Sequence, residues 1–546
     1  MGSMPMRRQH AMHNQRRRRL TSKYSLPLAI TATTALGAAL LGTAAASGAV
    51  SPLSQASGGS PFAPGCNGAA QRGTINVGTE VEPWVDVNPT SAQNLIGVYQ
   101  QDRISSGGAN GQGTSYSIDG GDTWIQNPAS WPEFGRCQGA APGSIGDYER
   151  VTDPWVSFGP DGVAYQQALS FNDTRNLANA ILVSRSFDGG QTWDAPKAQI
   201  VDTDPHVFND KNSITADPHV AGYAYGVWDR LVFPTERAGG VSYLTTAAYR
   251  GPTYFSRTTD GGDSWQTKKI FDPGRNDQTI GNLIAVTGEG DLVNGMVVFR
   301  NDNGVGRQGG FVSVLRSANK GASWSGEIPV ARLGAVGVSD PRDGAPVRTG
   351  DIIPSIATDE RAGQDAVYMV WQDARWTGFQ RDQIAFAKST DGGRTWSRPV
   401  RINAVESTQA FTPVIDVDDA GNIAVTYHDF RFDSAADTPL RTDVWVLRSS
   451  DGGQHWSEER VTPTSFDMRN APVARGFFVG DYIGMANAGQ TFTSFFVQTG
   501  ATAPSADAFS ARVTAPFPPA TITPEPAPAG VTAAQFPIQR GKPTPR

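Results

Sequence analysis

The chain is short of the residues that most often carry chemistry. Six histidines and two cysteines occur in 546 residues, and only 18% of the chain is charged. Positive charge is scarce as well, with 46 Lys and Arg against 52 Asp and Glu for a net charge of −6. Seven of those positives (Arg7, Arg8, Arg16 to Arg19 and Lys23) crowd the N-terminus with no acidic residue among them, so the rest of the chain carries about −13. An acidic protein is a poor partner for phosphate backbones, which excludes nucleic-acid binding. Long apolar runs are missing too. The one candidate, Leu26–Leu41, is rich in Ala and Thr and short for a bilayer. With the basic stretch before it and Ala44-Ala45-Ala46 after it, it reads as an export signal over residues 1–49. A single membrane anchor is the competing reading. The processed chain is expected outside the cell, without stable membrane insertion.

The two cysteines, Cys66 and Cys137, both lie beyond the signal. Exported proteins meet an oxidising environment, so a disulfide between them is expected, pinning an N-terminal lead (50–72) to the body. Two free buried thiols is the alternative.

What the chain has in excess is one repeated octapeptide. Ser117–Trp124 reads SIDGGDTW, Ser186–Trp193 SFDGGQTW, Thr258–Trp265 TTDGGDSW, Ser389–Trp396 STDGGRTW and Ser449–Trp456 SSDGGQHW, with a worn copy, SANKGASW, at Ser317–Trp324. These are Asp boxes. The carboxylate accepts from backbone amides of its own turn, glycine supplies positive φ, and Trp plugs the hairpin. The box is a device of the fold and carries no chemistry itself.

Fixed-period similarity points to a repeat architecture. The box tryptophans recur 59 to 72 residues apart, which suits one four-stranded propeller blade per repeat. Inner strands are expected to start near Glu82, Asp153, Asp210, Gln278, Asp351, Phe411 and Asp481, giving an all-β propeller over residues 73–513 with seven blades, six being the alternative. Arg72–Val77 resembles the fourth strands elsewhere, so it is expected to complete the last blade and close the ring, hiding strand edges. Residues 514–546, rich in Pro, read as a disordered tail. One body of this kind is expected to be monomeric.

Strand direction places the chemistry. The Asp boxes join third to fourth strands, so first-strand starts and second-strand ends lie on the opposite face. First-strand starts there offer Glu82, Asp153, Asp210, Lys211, Asp351, Asp481 and Tyr482. Second-strand ends repeat an aromatic–Asp–Arg theme that includes Arg230, Arg375 and Arg431, with Arg300 in a scrambled copy. Carboxylates, arginines and aromatics converging on one face suit a glycan pocket. The plainer reading of the repeated Asp–Arg pairs is a bridge between neighbouring blades. His428 is the one histidine placed for a role on this face. Asp416, Asp418 and Asp419 could form a calcium ladder, but they read more simply as a strand and its turn. No cofactor is expected, and structural calcium is left open.

These motifs resemble the sialidase superfamily, the Asp-box or BNR propellers, over about residues 73–513. The resemblance implies a glycoside hydrolase in which three arginines hold the substrate carboxylate, a tyrosine is the nucleophile and an aspartate is the acid/base. Tyr482 resembles that nucleophile. Asp153, Asp210 and Asp351 are the candidate acids, and Arg230, Arg300, Arg375 and Arg431 the candidate carboxylate binders, beside Lys211, His428, Asp481 and Glu82. The chain departs from the superfamily in reading Glu82-Pro83-Trp84 where sialidases carry Arg-Ile-Pro; Ile353-Pro354 in the fifth repeat, with Asp351 in place of Arg, is the nearest relic. The leading expectation is an exported sialidase-like hydrolase of terminal acidic sugars. The alternatives are a polysaccharide lyase, with His428 or Tyr482 as base, and a non-catalytic glycan- or protein-binding propeller.

Overall fold

The repeated octapeptides fold as their residues dictate. In the copy at Ser186–Trp193, the Asp188 carboxylate accepts from the N–H groups of Gln191 and Thr192 at 3.0 and 2.9 Å and from Thr192 Oγ1 at 2.6 Å, while Ser186 Oγ donates to it at 2.8 Å. Asp119, Asp260, Asp391 and Asp451 repeat the arrangement, and Asn319 takes the role in the worn copy. Glycine is required twice over at Gly190. Its φ is 94°, and a Cβ there would stand 2.8 Å from the Ile96 side chain of the preceding repeat.

The computed structural model describes residues 50–174, 176–233, 250–300 and 309–536. The expected export segment, residues 1–49, lies outside them. Among the described residues the chain is all-β, built from antiparallel four-stranded meanders. Their first strands are Glu80–Val87, Arg150–Phe158, Val207–Ala216, Gln278–Val286, Ser355–Thr358, Ala410–Val417 and Gly484–Ala488. Each first strand packs against the next in this order, and Gly484–Ala488 packs against Glu80–Val87. Apolar side chains fill the spaces between meanders. Phe386, for example, meets the box tryptophan Trp456 edge-on at 5.3 Å, and Trp456 is fully buried. Among the described residues no helix is long and apolar enough to cross a membrane.

Two expectations about the ends are corrected. The strand that joins the last meander is Ser54–Gln55, paired with Ser510 and Phe509, and Val50 bridges Val513. Arg72–Val77 instead contributes Ile75 to a bridge with Ile104. Alternation and length did not separate these two short extended segments. The Pro-rich segment expected to be disordered packs along the body through Phe536. Glu525–Pro526 pairs with Val400–Arg401, Ile522 bridges Trp456, and Trp376 Nε1 donates to the carbonyls of Glu525 and Pro526 at 3.1 Å. Proline lacks a donor but keeps its carbonyl, so a Pro-rich strand can still line a sheet edge. Cys66 and Cys137 form the expected disulfide.

The register settles which end is which. Ser117, where a box begins, pairs with Leu95, which pairs with Val87, the last residue of a first strand. The boxes therefore lie level with first-strand ends, and first-strand starts lie at the other end of the sheets.

Candidate functional site

The first strands are interrupted at a common place. Register shifts fall between Val81 and Trp84, Thr152 and Trp155, Asp210 and Ser213, Ile280 and Leu283, and Phe411 and Val414. Within them Glu82, Asp153, Lys211, Gly281 and Thr412 have φ between 50° and 69°. A non-glycine residue in this region costs roughly 1–2 kcal/mol, and such strain persists only where surrounding contacts enforce it. Pro83, Pro154 and Pro413 follow three of these residues. Proline has no N–H to leave unpaired where a ladder is broken.

The bulges bring charged groups from separate meanders into one buried cluster. Lys211 Nζ lies 2.9 Å from Glu82 Oε1, 2.8 Å from Asp481 Oδ2 and 3.6 Å from Asp153 Oδ1. All four residues are buried. Arg348 donates Nε to Asp481 Oδ1 at 2.8 Å and Nη2 to Oδ2, a two-pronged contact. Gln100 Nε2 donates to Glu82 Oε2 and to Thr152 Oγ1, and Gln100 Oε1 accepts from Arg103.

Burial opposes the charge on Lys211, but Asp153, Asp481 and Glu82 outweigh it and hold the ammonium above the ordinary lysine pKa. Burial raises the Glu82 carboxyl, Lys211 pulls it down, and Asp153 and Asp481 push it up again; the balance is upward. Burial and the same three carboxylates drive the Tyr482 phenol well above its usual value. Its hydroxyl donates to the Pro154 carbonyl at 3.2 Å, and its ring lies 5.1 Å from Trp155, which stacks on Trp84 at 3.7 Å. Tyr482 is thus held neutral.

A cavity of about 700 Å³ reaches Lys211 and Asp481 from the first-strand-start end. Asp351, Arg348 and Arg475 are on its wall, along with apolar residues that include Val336, Val347 and Phe477. Toward the box end lies a second cavity of about 350 Å³ lined by Asp86, Glu360, Asp416 and Asp419. Among the described residues no group of three or more His, Cys, Asp or Glu could hold a metal ion. Asp418 accepts from the N–H groups of Ala420 and Asn422, as a turn aspartate does.

The structure gathers Glu82, Asp153, Lys211, Asp481 and Tyr482, and puts Asp351 on the wall of the cavity they underlie. Other expected site residues lie elsewhere. Asp210 lines none of these cavities and accepts from the Lys211 N–H at 3.1 Å. The four arginines do not meet at a cavity. Arg230 pairs with Asp202, Arg300 with Asp277 and Glu327, Arg375 with Asp373, and Arg431 with Asp429 and Glu458. The plainer reading, a bridge between neighbouring blades, holds for Arg230, whose partner Asp202 ends the preceding meander, but is corrected for Arg375 and Arg431, which pair with the aspartate of their own motif. His428 is fully buried, stacked on Phe411 at 5.5 Å and edge-on to Phe466, and neither ring nitrogen has a hydrogen-bond partner. Burial lowers its pKa to about 3. It is a core residue.

Arg348 and Arg475 were missed. They lie in connections ahead of first strands, where no repeat marks them. Arg348-Thr349-Gly350-Asp351 did offer one signal, an arginine three residues before a candidate acid.

Residues 252–476 match the BNR repeat-like domain family. That segment holds four of the six boxes. No curated protein matches the chain. Solved structures similar to it include a Hadza microbial sialidase, at 14% identity over 67% of this chain and 66% of that one, with a TM-score of 0.42. A Penicillium chrysogenum α-L-arabinanase aligns at 10% identity over 82% and 98% of the two chains, with a TM-score of 0.39. The polysaccharide lyase Uly1 aligns at 9% identity over 80% and 77%, with a TM-score of 0.38. At such identities none of them says what this chain acts on.

Proposed function

We propose that the chain is an exported, monomeric, seven-bladed propeller with a closed ring, and a glycoside hydrolase that removes an acidic sugar from a glycan terminus. The observation that carries this reading is the 700 Å³ cavity, with Asp351 on its wall and Lys211, Arg348 and Asp481 meeting at one end. Lys211 and Arg348 face the acidic group of the sugar. Asp351 protonates the leaving oxygen as the glycosidic bond breaks, Asp481 stabilises the positive charge that develops on the anomeric carbon, and water adds there, returning a proton to Asp351. Glu82 and Asp153 hold Lys211 from beneath. Tyr482, held neutral on Pro154, closes the floor; this differs from the nucleophilic role that the sialidase resemblance implies. No cofactor takes part.

A binding-only role is the second reading. It is favoured by the completeness of the ion pairs, since Asp481 already has Lys211 and Arg348. The two readings separate on 4-methylumbelliferyl glycosides of sialic and glucuronic acid. Turnover that falls at least about a hundredfold in Asp351→Asn supports hydrolysis. Saturable binding without turnover supports the binding role.

A further inference from the structure

The cavity is not walled by the meanders alone. Val338–Ser339 and Pro346–Arg348 form a hairpin, and Phe477–Phe478, from the approach to the last meander, adds to it in parallel. Asp340 ties the two connections together by accepting from Arg342 and from Arg469, which also reaches Asp343 at 2.7 Å. This small sheet breaks the repeat, and its cavity side is apolar: Val336, Val338, Val347, Val473 and Phe477 line it. Val473 is 55% and Val336 37% exposed, so among the described residues this apolar wall is left partly open.

A charged group sits at the edge of that apolar wall. Arg348 spends Nε and Nη2 on Asp481, while its Nη1 is buried without a hydrogen-bond partner. A buried donor left unpaired is costly, and a ligand oxygen that reached it would recover that cost. One cavity therefore offers an anion contact on Arg348, next to Lys211, and a surface that gains by covering carbon.

We propose that this small sheet makes the site select acidic glycosides whose aglycone is apolar, the sugar's acid group meeting Arg348 and Lys211 and the aglycone lying on Val336, Val473 and Phe477. The inference rests on the reading of the cavity as a site for acidic sugars.

The test is binding, so that it does not depend on turnover. Octyl β-D-glucuronide, methyl β-D-glucuronide and octyl β-D-glucoside, all below micellar concentrations, are titrated into the full chain by calorimetry. The octyl glucuronide is expected to bind at least about tenfold tighter than the methyl compound, since each CH₂ covered adds to affinity. Val473→Asp and Val336→Asp, at exposed positions where folding is not at stake, should bring that ratio below about threefold. Equal affinity of the two glucuronides, or a ratio unmoved by both variants, would overturn the inference and leave the acidic-sugar reading intact. Equal affinity of octyl glucuronide and octyl glucoside would keep the apolar wall but remove the acidic sugar, and the proposed reaction with it. If neither octyl compound binds, the inference is wrong.

Discussion

Lys211 Nζ stands 2.8 Å from Asp481 Oδ2, so a side chain from the third first strand is tied to the residue that leads into the last one. With Glu82 and Asp153 on its other sides, this ammonium is the cation shared by three buried carboxylates. Removing one partner of a buried ionic group costs roughly 3–5 kcal/mol because the rest is left uncompensated. Lys211→Met is expected to lose about that much in urea denaturation at pH 7. The loss should shrink at pH 5, where the stranded carboxyls can take up protons. A loss under about 1 kcal/mol at pH 7 would contradict the arrangement.

His428 sets a second expectation, with a definite sign. Its folded pKa is lowered to about 3, from an ordinary value near 6.5, by burial among Phe411 and Phe466. Below pH 6.5 the unfolded chain binds a proton that the folded chain does not, so this residue's contribution is whole above that pH and is lost as pH falls toward 3. Raised carboxylates such as Glu82 work in the other direction, so the measurement is the difference between the native chain and His428→Phe. That difference should move in favour of the variant by on the order of 1 kcal/mol per pH unit between pH 6 and pH 4.

Removal of residues 515–546 should lower the melting temperature by a few degrees. It strips Glu525–Pro526 from its strand partner and Phe536 from the Arg375 guanidinium, 5.2 Å away. Turnover and ligand affinity should not change, because neither the strand partner nor Arg375 lines the large cavity.

Dialysis against EDTA should leave both the melting temperature and turnover where they were. A fall reversed by calcium would place a structural ion in the protein and revive the reading of Asp416, Asp418 and Asp419 as a calcium ladder.

The fold was legible because its signals repeat. Six octapeptides fixed the turns, and the spacing of first strands was readable to within a few residues. The same repetition misled at the site. Arg230, Arg375 and Arg431 stood out because they recur, and each closes an ion pair, Arg375 and Arg431 within their own meander and Arg230 with Asp202 at the end of the preceding one. The residues that converge are those that do not repeat. Glu82, Asp153 and Lys211 could be marked as candidates, but their meeting depends on bulges with positive φ that nothing in the residue types requires. Arg348 reaches Asp481 across 133 residues, a contact that no local pattern encodes.

The most direct test compares Asp351→Asn with Arg375→Ala on a fluorogenic acidic glycoside, with folding checked by melting. The expected result is a loss of at least about a hundredfold in kcat/KM for Asp351→Asn and a change within about threefold for Arg375→Ala. Full activity in Asp351→Asn, with activity abolished in a folded Arg375→Ala, would put the chemistry at the second-strand ends and contradict the assignment to the cavity beside Lys211.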